Sequence, residues 1–453
     1  KTKVDMLSND DLNVIMKNLM QYKLPNRITI FNLIQKSIEH HNNLKNLAEI
    51  KITDPQMQLY FIGDLHGQFE DLLQIIEIIN SQDESKPKQF IFLGDMVDRG
   101  YRSVETVLLI LTIELLMPQR VTVLRGNHET EKISRDYGFF DECKRKTSQA
   151  IYVHFLNLFQ TLQIACLISY EEEGSRKFSE SEQSVIQLSK STSQTQKLLL
   201  SDYLSQKTQP KPEVQQKPYP QYFYEKIEPK INQSPSMQQP SYFKPLTFQS
   251  LDFKPSVQFE NYEFVQLEFC NKSHNLQPTF SQLPSDSFYL QEPSLSASSA
   301  THSCQQLKRI LAMHGGLSPK LLQIDQINLE FRAQNDFQDQ IACDLLWADP
   351  DNRTEEFAPN SRGISYVFGC QAAKRFMEAN SVDLIVRAHQ VIDGVQKQLR
   401  DQVLTVWSAS NYESRVGNKG GILMLEAGQM YGRVYKKKYY EEKPAQMQVD
   451  YFL

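Results

Sequence analysis

The stretch QFIFLGDMVDRG, residues 89–100, joins an apolar run to two aspartates and an arginine. Its first half has the aromatic and β-branched composition of a short buried strand. Upstream, MQLYFIG (57–63) predicts another strand, and QFEDLLQIIEIIN (68–80) keeps apolar residues at helical spacing. A strand, a helix and a second strand in this order predict a βαβ unit. We therefore predict an α/β (α+β) fold, with charged residues at the carboxyl ends of strands.

Composition divides the chain of 453 residues into three parts. Residues 1–169 and 309–453 alternate apolar runs with helical patterns, and we predict that they form the two parts of one catalytic domain, the second with a C-terminal tail. Residues 170–308 are rich in Ser, Gln, Pro and Lys, which predicts a largely disordered insertion. Within it, FVQLEF (264–269) alternates as a strand would.

Bulk properties exclude several classes of partner. The net charge is -5, from 49 basic and 54 acidic residues, so there is no basic field for a nucleic acid. No apolar run is long enough to cross a bilayer, and we expect no membrane association. The six cysteines form no CxxC pair, which is typical of a reducing compartment. We therefore expect a cytoplasmic protein, with the nucleus as a second location.

Side chains that can bind metals follow five predicted strands, each at the point where the strand ends. They are Asp64 and His66, Asp95, Asn127, His314, and His389. Sites in α/β sheets assemble at such carboxyl ends. Carboxylate, imidazole and amide donors without thiolate suit Mn, Fe or Zn in a site open to water. Six donors are too many for one such ion but fit two divalent ions that share a bridging carboxylate, which we assign to Asp95.

The remaining charged residues complete the requirements of phosphoester hydrolysis. Two ions can hold a hydroxide that attacks phosphorus directly, without a phosphoenzyme intermediate. Arg99 and Arg362 are candidates for gripping the phosphate oxygens in fork geometry. His128 is the candidate general acid for the leaving alkoxide. Asp98 would accept the second N–H of that imidazole and orient it.

Five short motifs together carry a family resemblance: GDLHGQ (63–68), GDMVDRG (94–100), LRGNHE (124–129), HGGLSP (314–319) and RAHQ (387–390). In this order they resemble the serine/threonine phosphoprotein phosphatase family. The resemblance implies a metallophosphoesterase fold, a β-sandwich flanked by helices, with phosphoproteins as substrates. It also implies one ion on Asp64, His66 and Asp95, and a second ion on Asp95, Asn127, His314 and His389. It adds Asn127 to the phosphate contacts and places Tyr412 at the rim of the site.

Two further segments are most similar to the type 2A branch, which includes phosphatases 4 and 6: VLTVWSASNY (403–412) and the terminal VDYFL (449–453). This resemblance implies regulatory or scaffold subunits as partners, carboxymethylation of Leu453, and manganese as the ion expected to support activity in an assay. The loop SASNYESRVGN (408–418) departs from the branch, because Glu413 and Val416 stand where relatives have cysteines.

Two alternative functions stay open. A related metallophosphoesterase would act on small phosphoesters such as nucleotides, but HGGLSP and CDLLWADP (343–350) favour the protein phosphatases. An inactive scaffold would bind partners through residues 170–308. The presence of every expected metal ligand and of the Asp98 and His128 pair disfavours it.

Two histidine positions fall outside the motifs. His40 and His41 lie on a polar, helical stretch without a carboxylate at ligand spacing, which predicts a solvated pair. His154 lies in the apolar helix AIYVHFLNLF (150–159) and is expected at the boundary of the core.

Overall fold

The computed structural model describes residues 7–83, 85–170, 267–269, 308–330 and 341–436, and for residues 267–269 it describes the backbone alone. All of them belong to one compact unit, made of residues 1–173 and 253–453. A second unit, residues 174–252, lies outside the described residues, as does most of the predicted insertion.

Two six-stranded sheets form the centre of this unit. The first has the strand order β1 (Leu47–Ile52), β5 (Ala165–Tyr170), β7 (Arg309–Met313), β11 (Leu384–Arg387), β13 (Val403–Val406) and β12 (Val395–Gln398). The second has the order β4 (Val121–Val123), β3 (Lys88–Phe92), β2 (Gln58–Ile62), β14 (Gly420–Glu426), β15 (Gln429–Tyr435) and β6 (Leu267–Phe269). A third, smaller sheet contains β8 (Asp349–Pro350), β10 (Tyr366–Phe368) and β9 (Phe357–Pro359).

Nine α-helices lie among the described residues. They are α1 (Asn9–Met20), α2 (Arg27–Asn42), α3 (Phe69–Asn80), α4 (Ser103–Leu116), α5 (Glu131–Asp136), α6 (Phe139–Lys146), α7 (Gln149–Phe159), α8 (Ile341–Trp347) and α9 (Cys370–Asn380). Short 3₁₀ helices cover Ile324–Leu329 and Tyr412–Ser414. Within the described part of the chain, no helix combines the length and apolar character needed to span a membrane.

The two large sheets share one apolar core. Leu59, Phe61 and Ile91 of the second sheet lie in the same buried cluster as Ile310 and Val386 of the first. Side chains alternate between the two faces of a strand, so these residues form the layer between the sheets. The prediction of a mixed α/β fold with a central β-sandwich is confirmed.

The sheets bring the carboxyl ends of their parallel strands to one place. β2, β3 and β4 run parallel in one sheet, and β7, β11 and β13 run parallel in the other. A parallel bridge between Asp64 and Trp407 ties the end of β2 to the end of β13. All five strands that the sequence predicted to end in metal-binding residues are present, and their ends face the same region.

Candidate metal centre

Asp95 lies at the centre of the predicted ligands. Its Oδ2 atom is 3.6 Å from Nε2 of His66, 3.3 Å from Nε2 of His314 and 3.9 Å from Nε2 of His128. Nε2 of His66 is in turn 3.5 Å from Oδ2 of Asp64. Four loops that are distant in the sequence thus meet around one buried carboxylate.

Two groups of possible ligand atoms share Asp95. One contains His66, Asp95 and His128, and the other contains Asp95, His314 and His389; within each group the atoms lie within 4.8 Å of one another. Oδ1 of Asn127 lies 2.9 Å from Nε2 of His314 and so joins the second group. A carboxylate shared between two groups is the arrangement that two neighbouring cations require.

The donors fit divalent cations on the chemistry of the atoms themselves. Oδ2 of Asp64 and Nε2 of His389 are buried and have no hydrogen-bond partner among the described residues. Such atoms are costly to bury unless something satisfies them. His66 and His314 each donate Nδ1–H to a backbone carbonyl at 2.9 Å, on Val97 and Leu93, which turns Nε2 towards Asp95.

The protonation preferences of three residues describe the electrostatics of the site. Burial and the positive charge of Arg362 hold the pKa of His389 well below its usual range, so this imidazole offers a free lone pair. Burial opposes the ionisation of Asp95, but the histidines His314, His128 and His66 outweigh it and keep its pKa well below the ordinary value. Burial also opposes protonation of His66, yet the neighbouring carboxylates of Asp64 and Asp95 raise its pKa to about 9, so this position attracts positive charge and a bound cation would replace the proton.

The loops that carry the ligands hold a strained backbone. His66, Asp95 and His389 have φ values of 46°, 52° and 68°, in the left-handed region that costs a residue with a side chain about 1–3 kcal/mol. Gly126 allows the close approach of two of these loops, because a Cβ atom at this position would lie 2.2 Å from Oδ1 of Asp95. Such strain persists only where the surrounding structure fixes it, and it is typical of functional sites.

Glu129 fixes these loops and was missed by the sequence reasoning. Its carboxylate accepts hydrogen bonds from the backbone N–H groups of Asp95, Met96 and Gly126, each at 2.8 Å. Burial and the charge of Asp95 raise its pKa to about 7. The residue stands inside the motif LRGNHE, but only its three-dimensional contacts reveal that it positions Asp95.

The predicted pair of His128 and Asp98 forms. Nδ1 of His128 donates to Oδ2 of Asp98 at 2.7 Å, and Oδ1 of Asp98 accepts from the backbone N–H of Phe139 at 2.9 Å. Side-chain exposure is 11% for His128 and 0% for Asp98. The carboxylate is therefore fixed and buried, while the imidazole reaches the edge of the site.

Arg362 is oriented by a residue that the sequence reasoning did not single out. Its Nε atom donates to Oδ2 of Asp349 at 2.7 Å, and its Nη2 atom lies 3.5 Å from the carbonyl oxygen of His389. Nη2 of the buried Arg387 donates to Oδ1 of Asp349 at 3.0 Å. Burial opposes the charge of Asp349, but Arg387 and Arg362 keep its pKa below the ordinary value. Asp349 thus ties Arg362 to Arg387, at the end of β11 and two residues before the candidate ligand His389.

Arg99 and Tyr412 have their own contacts near the candidate ligands. The guanidinium of Arg99 sits 4.1 Å above the ring of Tyr137, and its Nη1 atom is 2.9 Å from Oε1 of Glu413. The rings of Tyr412 and His66 are 5.0 Å apart, and burial raises the pKa of Tyr412. Of the predicted site residues, Leu453 alone lies outside the described residues.

Comparison with known proteins agrees with this geometry. A protein serine/threonine phosphatase from Saccharomyces cerevisiae, described as similar to human phosphatase PP5, has 20% identity and a TM-score of 0.60, over 96% of this chain and 98% of its own. A cold-active protein-tyrosine phosphatase of a psychrophile, Shewanella sp., has 13% identity and a TM-score of 0.42, over 88% of this chain and 84% of its own. The first likeness concerns the fold, and the second is too weak to carry an argument. The family model for calcineurin-like phosphoesterases matches residues 57–237 and 261–393, more than half of the chain, and the protein therefore belongs to this family of metal-dependent phosphoesterases.

Proposed function

We propose that this phosphoesterase is a protein serine/threonine phosphatase of the type 2A kind, which hydrolyses phosphoserine and phosphothreonine with two divalent ions. The observation that carries the proposal is the meeting of donors from five loops around Asp95, beside the His128 and Asp98 pair at 2.7 Å. The motif order and the segment VLTVWSASNY (403–412) support the choice of a protein substrate.

The ligands divide into two sets around Asp95. Asp64, His66 and Asp95 would hold one ion, and Asp95, Asn127, His314 and His389 would hold the other. When bound, the two ions activate water and neutralise charge on the phosphate oxygens. Manganese is the ion with which we expect activity in an assay.

The side chains of the chain itself supply binding and proton transfer. Asp349 fixes the guanidinium of Arg362 so that its free N–H groups can take phosphate oxygens. Arg99, stacked on Tyr137, offers a second guanidinium, and Asn127 adds an amide. Nδ1 of His128 donates to Asp98, whose negative charge favours the doubly protonated ring. In that form Nε2 also carries a proton, which the ring can give to the departing serine or threonine oxygen.

The likeness to the type 2A branch extends the proposal beyond the site. We expect regulatory or scaffold subunits as partners, carboxymethylation at Leu453, and a location in the cytoplasm or the nucleus. Each of these rests on the resemblance of the sequence motifs.

The decisive experiment compares substrates on the full chain with Mn²⁺. We expect kcat/KM for a phosphoserine peptide to exceed that for nucleoside monophosphates, and a preference for nucleotides would overturn the choice of substrate. The variant Asp95→Asn should lose bound metal and activity together, because it removes the shared carboxylate. Glu378→Gln is the matched control, since Glu378 pairs with Lys374 on the surface of α9. Hydrolysis of both substrate classes at background rates by the wild type would favour the inactive scaffold.

A further inference from the structure

Glu413 forms an ion pair with Arg99, whose guanidinium the proposed function assigns to the substrate phosphate. Oε1 of Glu413 lies 2.9 Å from Nη1 of Arg99, and the two side chains are 16% and 33% exposed. The carboxylate of Glu413 also pairs with Arg415, whose side chain is 70% exposed. The carboxylate therefore sits between an arginine of the site and an arginine at the surface.

The backbone holds Glu413 in this position. Asn411, Glu413 and Ser414 have φ values of 44°, 52° and 58°, which residues with side chains rarely adopt. Two side-chain bonds fix the loop: Oδ1 of Asn418 accepts from the N–H of Tyr412 at 2.8 Å, and Oδ1 of Asn411 accepts from the N–H of Gly417 at 2.9 Å. The loop that places Glu413 beside Arg99 is thus strained and is fixed by hydrogen bonds.

We propose that Glu413 competes with the substrate phosphate for Arg99 and thereby selects phosphopeptides with a lysine or arginine beside the phosphorylated residue. The selection rests on the proposed function. A phosphate dianion that binds Nη1 of Arg99 displaces the carboxylate of Glu413 but leaves it nearby. The two anions then repel each other, because they lie close together. A cation on the substrate pairs with the displaced carboxylate, whereas an acidic neighbour adds to the repulsion. Arg415 compensates only in part, because it is largely exposed and its pairing is screened by water.

The competition is tested with inorganic phosphate as the probe, by calorimetric titration of the metal-loaded full chain. Glu413→Gln keeps the shape of the side chain and removes its charge, and Glu378→Gln removes a charge from a surface pair on α9. We expect the Kd for phosphate to fall about fivefold in Glu413→Gln, near the upper limit for partly exposed pairs, and to stay unchanged in Glu378→Gln. An unchanged or higher Kd in Glu413→Gln would overturn the competition.

The selection is tested with three phosphoserine peptides that differ in the residue next to phosphoserine: arginine, alanine or glutamate. The wild type should give the highest kcat/KM with the arginine peptide and the lowest with the glutamate peptide. Glu413→Gln should reduce the ratio of these two kcat/KM values about fivefold. Equal ratios in both proteins would refute the selection while leaving the phosphatase activity intact. If the wild type hydrolyses none of the peptides but phosphate still binds more tightly to Glu413→Gln, the proposed function fails and the competition at Arg99 stands.

Discussion

Replacing Asp349 with asparagine should damage both stability and catalysis. Asp349 is 5% exposed and accepts charged hydrogen bonds from Arg387 at 3.0 Å and from Arg362 at 2.7 Å. The side chain of Arg387 is fully buried, so the substitution leaves a buried cation without its carboxylate. Breaking such a pair costs about 3–5 kcal/mol, and we take about 3 kcal/mol because asparagine keeps the shape and one acceptor. At about 2–4 °C per kcal/mol, Tm should fall by about 6–12 °C.

The effect on catalysis follows from Arg362, which loses the carboxylate that fixes its guanidinium. A hydrogen bond to a charged group contributes about 1.5–3 kcal/mol, so kcat/KM for a phosphoserine peptide should fall roughly 10- to 100-fold. Arg362→Gln should repeat the loss of activity with a smaller loss of stability, because the Arg362 side chain is 36% exposed.

The neighbouring residue Asp351 provides the matched control. It pairs with Arg353 at 3.0 Å, but the Arg353 side chain is 90% exposed, so water screens the pair and it contributes little to stability. Asp351→Asn should therefore melt within about 4 °C of the wild type and keep its kcat/KM. The reasoning is refuted if Asp349→Asn and Asp351→Asn have the same Tm by calorimetry and the same kcat/KM.

Three further predictions concern other residues. Asp98→Asn removes the charge that orients His128 and should lower kcat roughly 10²- to 10⁴-fold. Mass spectrometry should find the metal content unchanged. A parallel loss of metal would contradict the role of Asp98. Gly126→Ala forces a Cβ atom to within 2.2 Å of Oδ1 of Asp95 and should weaken Mn²⁺ binding about 10- to 100-fold in a calorimetric titration. Wild-type affinity in this variant would show that metal binding does not need the close approach of the two loops. Glu114→Gln removes the carboxylate that Nε2 of His41 contacts at 2.9 Å. It should lower the free energy of unfolding in urea by about 1–3 kcal/mol and leave kcat/KM unchanged. A comparable loss of activity would argue against a purely structural role for the pair.

The positions of the candidate ligands were predictable because two simple rules decide them. Short apolar runs such as FIFL (90–93) form buried strands, and the residues that follow them meet where parallel strands end. Asp95 and His314 are therefore placed by the local sequence and by the general geometry of α/β sheets. Neither placement depends on knowing which side chains touch.

The supporting residues were not predictable, since their roles depend on contacts between loops. Glu129 binds the N–H groups of Asp95 and Met96, which lie 34 and 33 residues away along the chain. The contact between Arg99 and Glu413 joins two loops that are far apart in the sequence. A single sequence shows that these residues are charged, but it does not show which partners the fold brings to them.

The prediction for His41 was wrong, although the sequence contained the signal. His41 is 0% exposed and contacts Glu114 of α4, whereas a solvated histidine was expected. The buried residues of α2 are Ile30, Leu33, Ile34, Ser37 and His41, a set at helical spacing. The position of a residue around the helix axis decided its burial, and the polar character of its neighbours did not. His154 is half-buried and packs against Phe31, as expected for the boundary of the core.

The geometry of β5 and β7 explains how the site can coexist with a long intervening segment. The two strands are antiparallel neighbours, Ser169 pairs with Arg309, and the N–H of Tyr170 donates to the carbonyl of Lys308 at 2.9 Å. The chain between them therefore leaves and re-enters the sheet at adjacent positions, where the cost of closing a loop grows only slowly with its length. His314 follows the other end of β7, about 17 Å away at the rise of a strand. Because β7 is held on both sides by β5 and β11, a change in the length of that segment need not move the candidate ligand His314.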